Sequence, residues 1–160
     1  MKVYLAADHA GYELKNDLMN FVRGELNLDV KDCGAFTDDP NDDYPEIVAA
    51  AARALQDDIT GGVKNSFAIV IGGSGTGEAI VANRFPSLRA AVYYGGSREI
   101  LTLSREHNDA NVLSLGARFI SKQEAKDAVR LWLMTPFSQD ERHVRRIAQI
   151  EKVVEALAHE

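Results

Sequence analysis

Short apolar runs alternate with helical segments along this 160-residue chain, and this alternation constrains the fold more than any other feature. Val3–Ala7 and Phe67–Ile71 are almost continuously apolar, as is typical of strands buried on both faces. Leu28–Val30, Arg89–Tyr94 and Asn111–Leu115 have weaker strand patterns. Because successive parallel strands need crossover connections, the alternation predicts a five-stranded parallel sheet with helices on both faces.

The segments between these strands carry helical spacing or helix start signals. We predict helices over Ala10–Arg23, Pro45–Asp57, Gly77–Arg84 and Ser97–Glu106. Two more helices close the chain on either side of Pro136, and each is expected to open with a capping box. The two boxes pair Ser121 with Glu124 and Ser138 with Glu141. The chain is therefore expected to be a single domain, residues 1–160, with a C-terminal helix extension.

Composition narrows the classes of protein to which the chain could belong. The sequence contains no apolar stretch long enough to span a membrane, and its single cysteine, Cys33, excludes an internal disulfide, so we expect a cytoplasmic protein. The net charge of −6 disfavours nucleic acid and anionic membranes as partners. Residues 1–60 hold 5 basic and 13 acidic side chains, whereas residues 118–152 hold 8 and 5. This local basic excess suits one small anion.

A glycine-rich loop, Gly72–Glu78, follows the clearest strand. Ligands bind at the carboxyl ends of parallel strands, and glycines allow a backbone to approach a ligand closely with its N–H groups. The loop matches neither the dinucleotide fingerprint nor the P-loop nor the nucleophile elbow, which disfavours a nucleotide-binding module. Glu78 could instead be the base that forms an enolate, and Ser74 could stabilise that enolate. A purely structural turn is the alternative.

Asp8 and His9 follow the first strand, and His107 ends a predicted helix. These residue types can transfer protons. The alternatives are a helix-capping role for Asp8, a surface position for His9 and a structural role for His107.

Arg142 and Arg146 lie one turn apart on the last helix, where they could bind a phosphate, although a solvated basic face is the alternative. His143 is expected on the apolar face with Ile147, Ile150 and Val154. The sequence shows no metal-ligand cluster. The combined set of residues favours metal-free proton transfer beside a carbonyl group of a phosphorylated small molecule.

These motifs, taken together, resemble the ribose-5-phosphate isomerase B family, which includes galactose-6-phosphate isomerase subunits. The resemblance runs from residue 3 to about residue 150, with the motifs in order. It rests on Asp8–Lys15, Asp43-Tyr44-Pro45, Gly72–Glu78, Arg105-Glu106-His107-Asn108 and Arg142-His143-x-Arg145-Arg146.

The resemblance implies a Rossmann-like three-layer αβα sandwich that needs no cofactor and no metal. It also implies a homodimer or a dimer of dimers with active sites between subunits, to which the partner contributes His107, Asn108 and Arg118. Asp8 and His107 would assist opening of the sugar ring, and Ser74 would hold the developing oxyanion with the amides of Gly75 and Gly77. Substrate binding would involve His9, Gly75, Thr76, Gly77, Asn108, Arg118, Arg142 and Arg146.

Ser74 stands where many members of the family have a cysteine base. Serine is too weak an acid to replace that thiolate unaided, and the sequence resembles a second branch with a glutamate four residues later, here Glu78. The resemblance implies interconversion of ribose 5-phosphate and ribulose 5-phosphate. Allose 6-phosphate, galactose 6-phosphate or erythrulose 4-phosphate stay open as substrates, as does a non-catalytic sugar-phosphate-binding module.

Overall fold

A computed structural model describes residues 1–157 and contains one five-stranded sheet, in which every pair of neighbouring strands is parallel. The strands are β1 (Lys2–Ala7), β2 (Asp29–Asp32), β3 (Ser66–Gly72), β4 (Ala90–Tyr93) and β5 (Val112–Gly116). Their order across the sheet is β2-β1-β3-β5-β4, so β3 lies at the centre. Every residue of β3 is buried, as its nearly unbroken apolar sequence predicted.

Six α-helices flank this sheet. They are α1 (Tyr12–Gly24), α2 (Tyr44–Thr60), α3 (Thr76–Ala82), α4 (Glu99–Glu106), α5 (Lys122–Met134) and α6 (Glu141–Leu157). The predicted fold class is confirmed, and most helix boundaries differ from the predicted ones by no more than two or three residues, as is usual for frayed helix ends.

Alternate residues of β1 enter two separate hydrophobic cores, one on each face of the sheet. Leu5 joins the core that includes Leu18 of α1 and Trp132 of α5, whereas Tyr4 joins the core that includes Leu55 of α2. The period of two in a strand thus separates the layers, with α1, α4 and α5 on one face and α2 and α3 on the other.

Only one of the two predicted capping boxes forms its N-cap. The Ser121 hydroxyl accepts a hydrogen bond from the Glu124 amide at 3.1 Å, as expected. The prediction for Ser138 is wrong, because its hydroxyl accepts from the Asp140 amide at 3.3 Å and its own amide donates to the Glu106 carbonyl at 3.2 Å. This second bond holds Ser138 at the end of α4. The first turn of α6 therefore starts from Asp140, whose carbonyl accepts a hydrogen bond from the His143 amide.

The apolar stripe of α6 is largely exposed. Ile150 is 47% exposed, Val154 43% and Leu157 66%, and none of them belongs to either hydrophobic core formed by residues 1–157. Within residues 1–157, no helix combines the length and the apolar character needed to cross a membrane.

Candidate active site

The loops that follow β1, β3 and β5 meet around a cavity of about 360 Å³ at the carboxyl ends of the strands, where the topology predicted a ligand site. The cavity is lined by Asp8, His9, Ala10, Tyr44, Gly73, Ser74, Gly77, Glu78, Arg118 and Phe119. Three separate motifs of the sequence therefore converge on one place. They converge because β1, β3 and β5 are neighbours in the sheet.

The glycine-rich loop connects β3 to α3 and forms one wall of this cavity. Gly75 adopts a left-handed conformation with φ of +78°, which glycine accommodates without strain. The first amides of α3 have no partner within the helix, so they are available to a ligand bound at this loop. The Ser74 hydroxyl accepts a hydrogen bond from the Thr76 amide at 3.3 Å. Ser74, Gly75, Thr76 and Gly77 are thus arranged as a cradle suited to an oxyanion.

Glu78 lies in the first turn of α3 and is only 4% exposed. Burial raises the pKa of its carboxyl group above the ordinary value of 4.5, its own backbone amide lowers it, and the negative charge of Asp8 raises it further. A buried carboxylate with a raised pKa in a cavity is suited to take a proton from a substrate.

Asp8 performs its local capping role and also lines the cavity. Its Oδ1 atom accepts a hydrogen bond from the Gly11 amide at 3.2 Å, as expected of an N-cap. His9 is not a free surface residue, because its Nδ1 atom lies 2.7 Å from Oδ1 of Asp42. This contact is the main reason that the pKa of His9 is raised.

Arg118 lies in the same cavity as Glu78 of its own chain. Its backbone amide donates to the Gly73 carbonyl at 3.1 Å, and its positive charge acts against the protonation of His9. The expectation that a partner chain supplies Arg118 to this cavity is therefore not met. The cause is the pairing of β5 with β3, which brings the loop after β5 against the glycine-rich loop of the same chain.

The remaining predicted site residues form a second cluster at the opposite end of the sheet. Helix α4 returns from the carboxyl end of β4 to the amino end of β5, so His107 and Asn108 lie near the amino ends of these strands. Arg142 and Arg146 begin α6, which reaches the same place through the bond between Ser138 and Glu106. A single chain thus holds two separate groups of candidate residues, one at each end of the sheet.

His143 connects the members of this second cluster, a role the sequence did not indicate. Its ring is 3% exposed and stacks on that of His107, with centroids 4.2 Å apart and an angle of 12°. Nε of Arg142 donates to Nε2 of His143 at 3.2 Å. The sequence placed His143 on the apolar face of the helix, whereas the structure buries it against His107; the quoted Arg142-His143-x-Arg145-Arg146 motif was the available signal.

Tyr44 and Phe119 line the cavity although the sequence did not single them out as site residues. The Tyr44 ring lies so close to Gly77 that a Cβ atom there would stand 2.8 Å from Cζ. The Asp43-Tyr44-Pro45 motif was the available signal for Tyr44. Arg105, in contrast, belongs to the quoted His107 motif but is structural, because its buried guanidinium binds Asp109 and the Ala110 carbonyl.

The structure also brings together a group of possible metal ligands that are far apart in the sequence. Ligand atoms of Asp8, His9 and Asp42 all lie within 4.8 Å of one another. Nδ1 of His9 lies 2.7 Å from Oδ1 of Asp42. An ion pair between these two side chains therefore accounts for their close approach without a metal ion.

Comparison with known proteins finds relatives along nearly the whole chain. A family model described as Ribose/Galactose Isomerase matches residues 3–150. Ribose-5-phosphate isomerase B of Mycobacterium tuberculosis is 41% identical over 160 residues, which cover 98% of this chain and 93% of the relative.

Solved structures agree over almost the whole chain. Ribose-5-phosphate isomerase B of Clostridium thermocellum has a TM-score of 0.87 at 34% identity, covering 98% of this chain and 99% of that one. The Mycoplasma genitalium enzyme with bound ribulose-5-phosphate has a TM-score of 0.84 at 30% identity, covering 96% of each chain. The chain therefore belongs to the ribose/galactose isomerase family and is, by that membership, an isomerase.

Proposed function

We propose that this protein interconverts D-ribose 5-phosphate and D-ribulose 5-phosphate through an enediolate, with Glu78 as the general base. The observation that carries the proposal is the position of Glu78, a buried carboxylate with a raised pKa beside the glycine-rich cradle. The names of the M. tuberculosis, C. thermocellum and M. genitalium relatives support the choice of substrate.

The chemical step needs one base and one oxyanion site. Glu78 takes the proton from C2 of the open-chain aldose, and the electron pair of the C–H bond forms the C1–C2 double bond. The negative charge moves to the C1 oxygen, where Ser74 and the amides of Gly75 and Gly77 stabilise it. Glu78 then returns the proton to C1 while the C2 hydroxyl proton moves to the C1 oxygen, which leaves the C2 ketone.

The remaining residues hold the substrate and open its ring. In this proposal Asp8 and His107 move the protons that open the furanose, and Thr76 and Asn108 contact the sugar. The phosphate is bound by His9 and Arg118 of one chain and by Arg142 and Arg146 of another. A second chain is needed because the two clusters lie at opposite ends of the sheet, separated by at least the length of β5, about 15 Å.

The exposed stripe on α6 supports assembly into a dimer or a dimer of dimers. Ile150, Val154 and Leu157 are apolar and are left 43–66% exposed by residues 1–157, so a second copy could cover them. The positively charged start of α6 is next to this stripe, so an interface there would carry Arg142 towards the other chain.

Turnover of ribose 5-phosphate, followed as formation of ribulose 5-phosphate, tests this proposal. Glu78→Gln should reduce kcat by about 10²–10⁴-fold, because it removes a general base and keeps the shape of the side chain. Glu99→Gln is the matched control, since Glu99 is an exposed glutamate in the first turn of α4. Retention of more than about a tenth of kcat in Glu78→Gln would exclude Glu78 as the base. Values of kcat/KM for allose 6-phosphate, galactose 6-phosphate and erythrulose 4-phosphate, measured alongside, would show whether ribose 5-phosphate is preferred.

A further inference from the structure

Two nitrogen atoms of His9 converge on one oxygen atom of Asp42. Nδ1 of the ring lies 2.7 Å from Oδ1, and the backbone amide of His9 donates to the same oxygen at 3.2 Å. Asp42 belongs to the loop between β2 and α2, 33 residues later in the chain. Its side chain is 11% exposed and that of His9 is 31% exposed. Asp42 is therefore shielded from solvent, whereas the His9 ring is partly accessible.

This contact fixes which ring nitrogen of His9 can serve a ligand. With Nδ1–H directed at Asp42, Nε2 is the nitrogen left for a ligand in the cavity that His9 lines. In the neutral form of this tautomer Nε2 is an acceptor, which would repel a phosphate oxygen. Only the protonated ring offers an N–H donor at Nε2, so the charge of His9 decides whether it can bind an anion.

The charged groups that face His9 act in opposite directions on its protonation. The hydrogen bond to Asp42 raises the pKa of His9 most, the charges of Asp8 and Asp42 add to this, and burial and the positive charge of Arg118 lower it. The net direction is upward from the ordinary value of 6.5. Without Asp42, the nearby guanidinium would act against a protonated His9.

Asp42 is itself held in a way that suits this task. Its Oδ2 atom is buried and has no hydrogen-bond partner among residues 1–157. The carboxylate is therefore little stabilised by solvent, and its hydrogen bonds run through Oδ1 to His9.

We propose that Asp42 is a positioning residue, which holds His9 as an imidazolium whose Nε2–H binds the phosphate group of the substrate together with Arg118. The inference rests on the proposed function, because it assigns the phosphate end of the substrate to this part of the cavity. It adds a residue from a fourth loop, the one after β2, to a site otherwise built mainly by the loops after β1, β3 and β5.

Two substitutions separate the charge of Asp42 from its placement of the ring. Asp42→Asn keeps an oxygen that can accept from Nδ1–H and removes the charge, whereas Asp42→Ala removes both. Asp38→Asn is the control, since Asp38 lies exposed on the same loop and its substitution changes the net charge equally. The readouts are the Kd of inorganic phosphate, KM and kcat for ribose 5-phosphate between pH 6 and 8, and the NMR titration of His9.

In Asp42→Asn we expect Kd and KM close to wild type at pH 6 and about fivefold to tenfold higher at pH 8, because a histidine with its ordinary pKa is mostly neutral there. The kcat value should change little, and the NMR midpoint of His9 should fall. Asp42→Ala should bind phosphate more weakly at both pH values, and Asp38→Asn should match wild type. Comparison with wild type at each pH removes the titration of the phosphate itself.

Equal Kd ratios at pH 6 and pH 8, or an unchanged midpoint of His9, would overturn the role of Asp42. These readouts do not require turnover, so they stay informative if the protein prefers another substrate. Failure of wild type to convert ribose 5-phosphate while phosphate binding follows the expected pattern would overturn the proposed function and leave the role of Asp42 in place.

Discussion

The carboxylate of Glu78 occupies the space in which a side chain on Gly72 would stand. A Cβ atom at position 72 would overlap with both carboxylate oxygens and the carboxyl carbon of Glu78. Gly72 is the last residue of β3, so the close approach of helix α3 to the end of the central strand depends on the missing side chain. This relationship places the candidate base against the backbone of the central strand of the sheet.

Gly72→Ala should therefore displace the Glu78 carboxylate. We expect kcat to fall about 10²-fold, in the range for a lost general base, while phosphate affinity stays within about threefold. Gly24→Ala is a suitable control, since a Cβ atom there meets nothing within 4 Å. Steady-state kinetics of both variants check this, and a kcat near wild type for Gly72→Ala would show that the carboxylate can act from another position.

Glu78→Gln should be more stable than wild type at neutral pH. Burial raises the pKa of Glu78 in the folded state, so folding favours the protonated form, and the ionised form is destabilising above the raised pKa. The advantage of glutamine should shrink as pH falls through the raised pKa of Glu78 towards the ordinary value of 4.5, because the wild-type carboxyl then takes up its proton in the folded state. Urea unfolding at pH 7.5 and pH 5 measures the difference, and an advantage that grows at pH 5 would contradict the argument.

The layers of the fold could be predicted from local sequence because the strands carry their own signal. β3 is unbroken and apolar since the central strand of a parallel sheet is covered on both faces. The identity of Glu78 as the candidate base was also accessible, because Ser74, the glycines and Glu78 lie on one short loop.

Relationships between distant loops could not be predicted in this way. The contact between His9 and Asp42 depends on β1 and β2 being neighbours, and that of Arg118 with the glycine-rich loop depends on β5 pairing with β3. The predicted capping box at Ser138 was wrong for a similar reason, because a tertiary hydrogen bond to Glu106 overrides the local capping pattern.

His143→Phe should make stability less sensitive to acid. Burial and the positive charges nearby lower the pKa of His143, so the folded state favours the neutral ring. Wild type should then lose stability as pH falls below the ordinary value of 6.5, where the unfolded chain takes up a proton. Phenylalanine keeps a ring against His107 and cannot be protonated. Free energies of unfolding at pH 7.5 and pH 5.5 check this, and an equal loss in both proteins would contradict it.

Removal of divalent metals should leave activity unchanged. Nδ1 of His9 is paired with Asp42, and every step of the proposed reaction is a proton transfer or an electrostatic contact made by side chains and amides. The values of kcat and KM after dialysis against EDTA, with and without added Mg²⁺ or Zn²⁺, measure this. A loss that added metal restores would reassign Asp8, His9 and Asp42 as a metal site.

Mixing two inactive variants should restore activity if each site is shared between chains. Glu78→Gln and Arg142→Ala damage opposite ends of one chain, so a mixed dimer retains one site with both Glu78 and Arg142. Random pairing of equal amounts would give about a quarter of wild-type activity at substrate concentrations far below KM. Glu78→Gln mixed with Arg118→Ala should give no recovery, because both residues line the same cavity of one chain. Recovery in this second mixture would return Arg118 to the partner chain, and no recovery in the first would show that one chain completes the site.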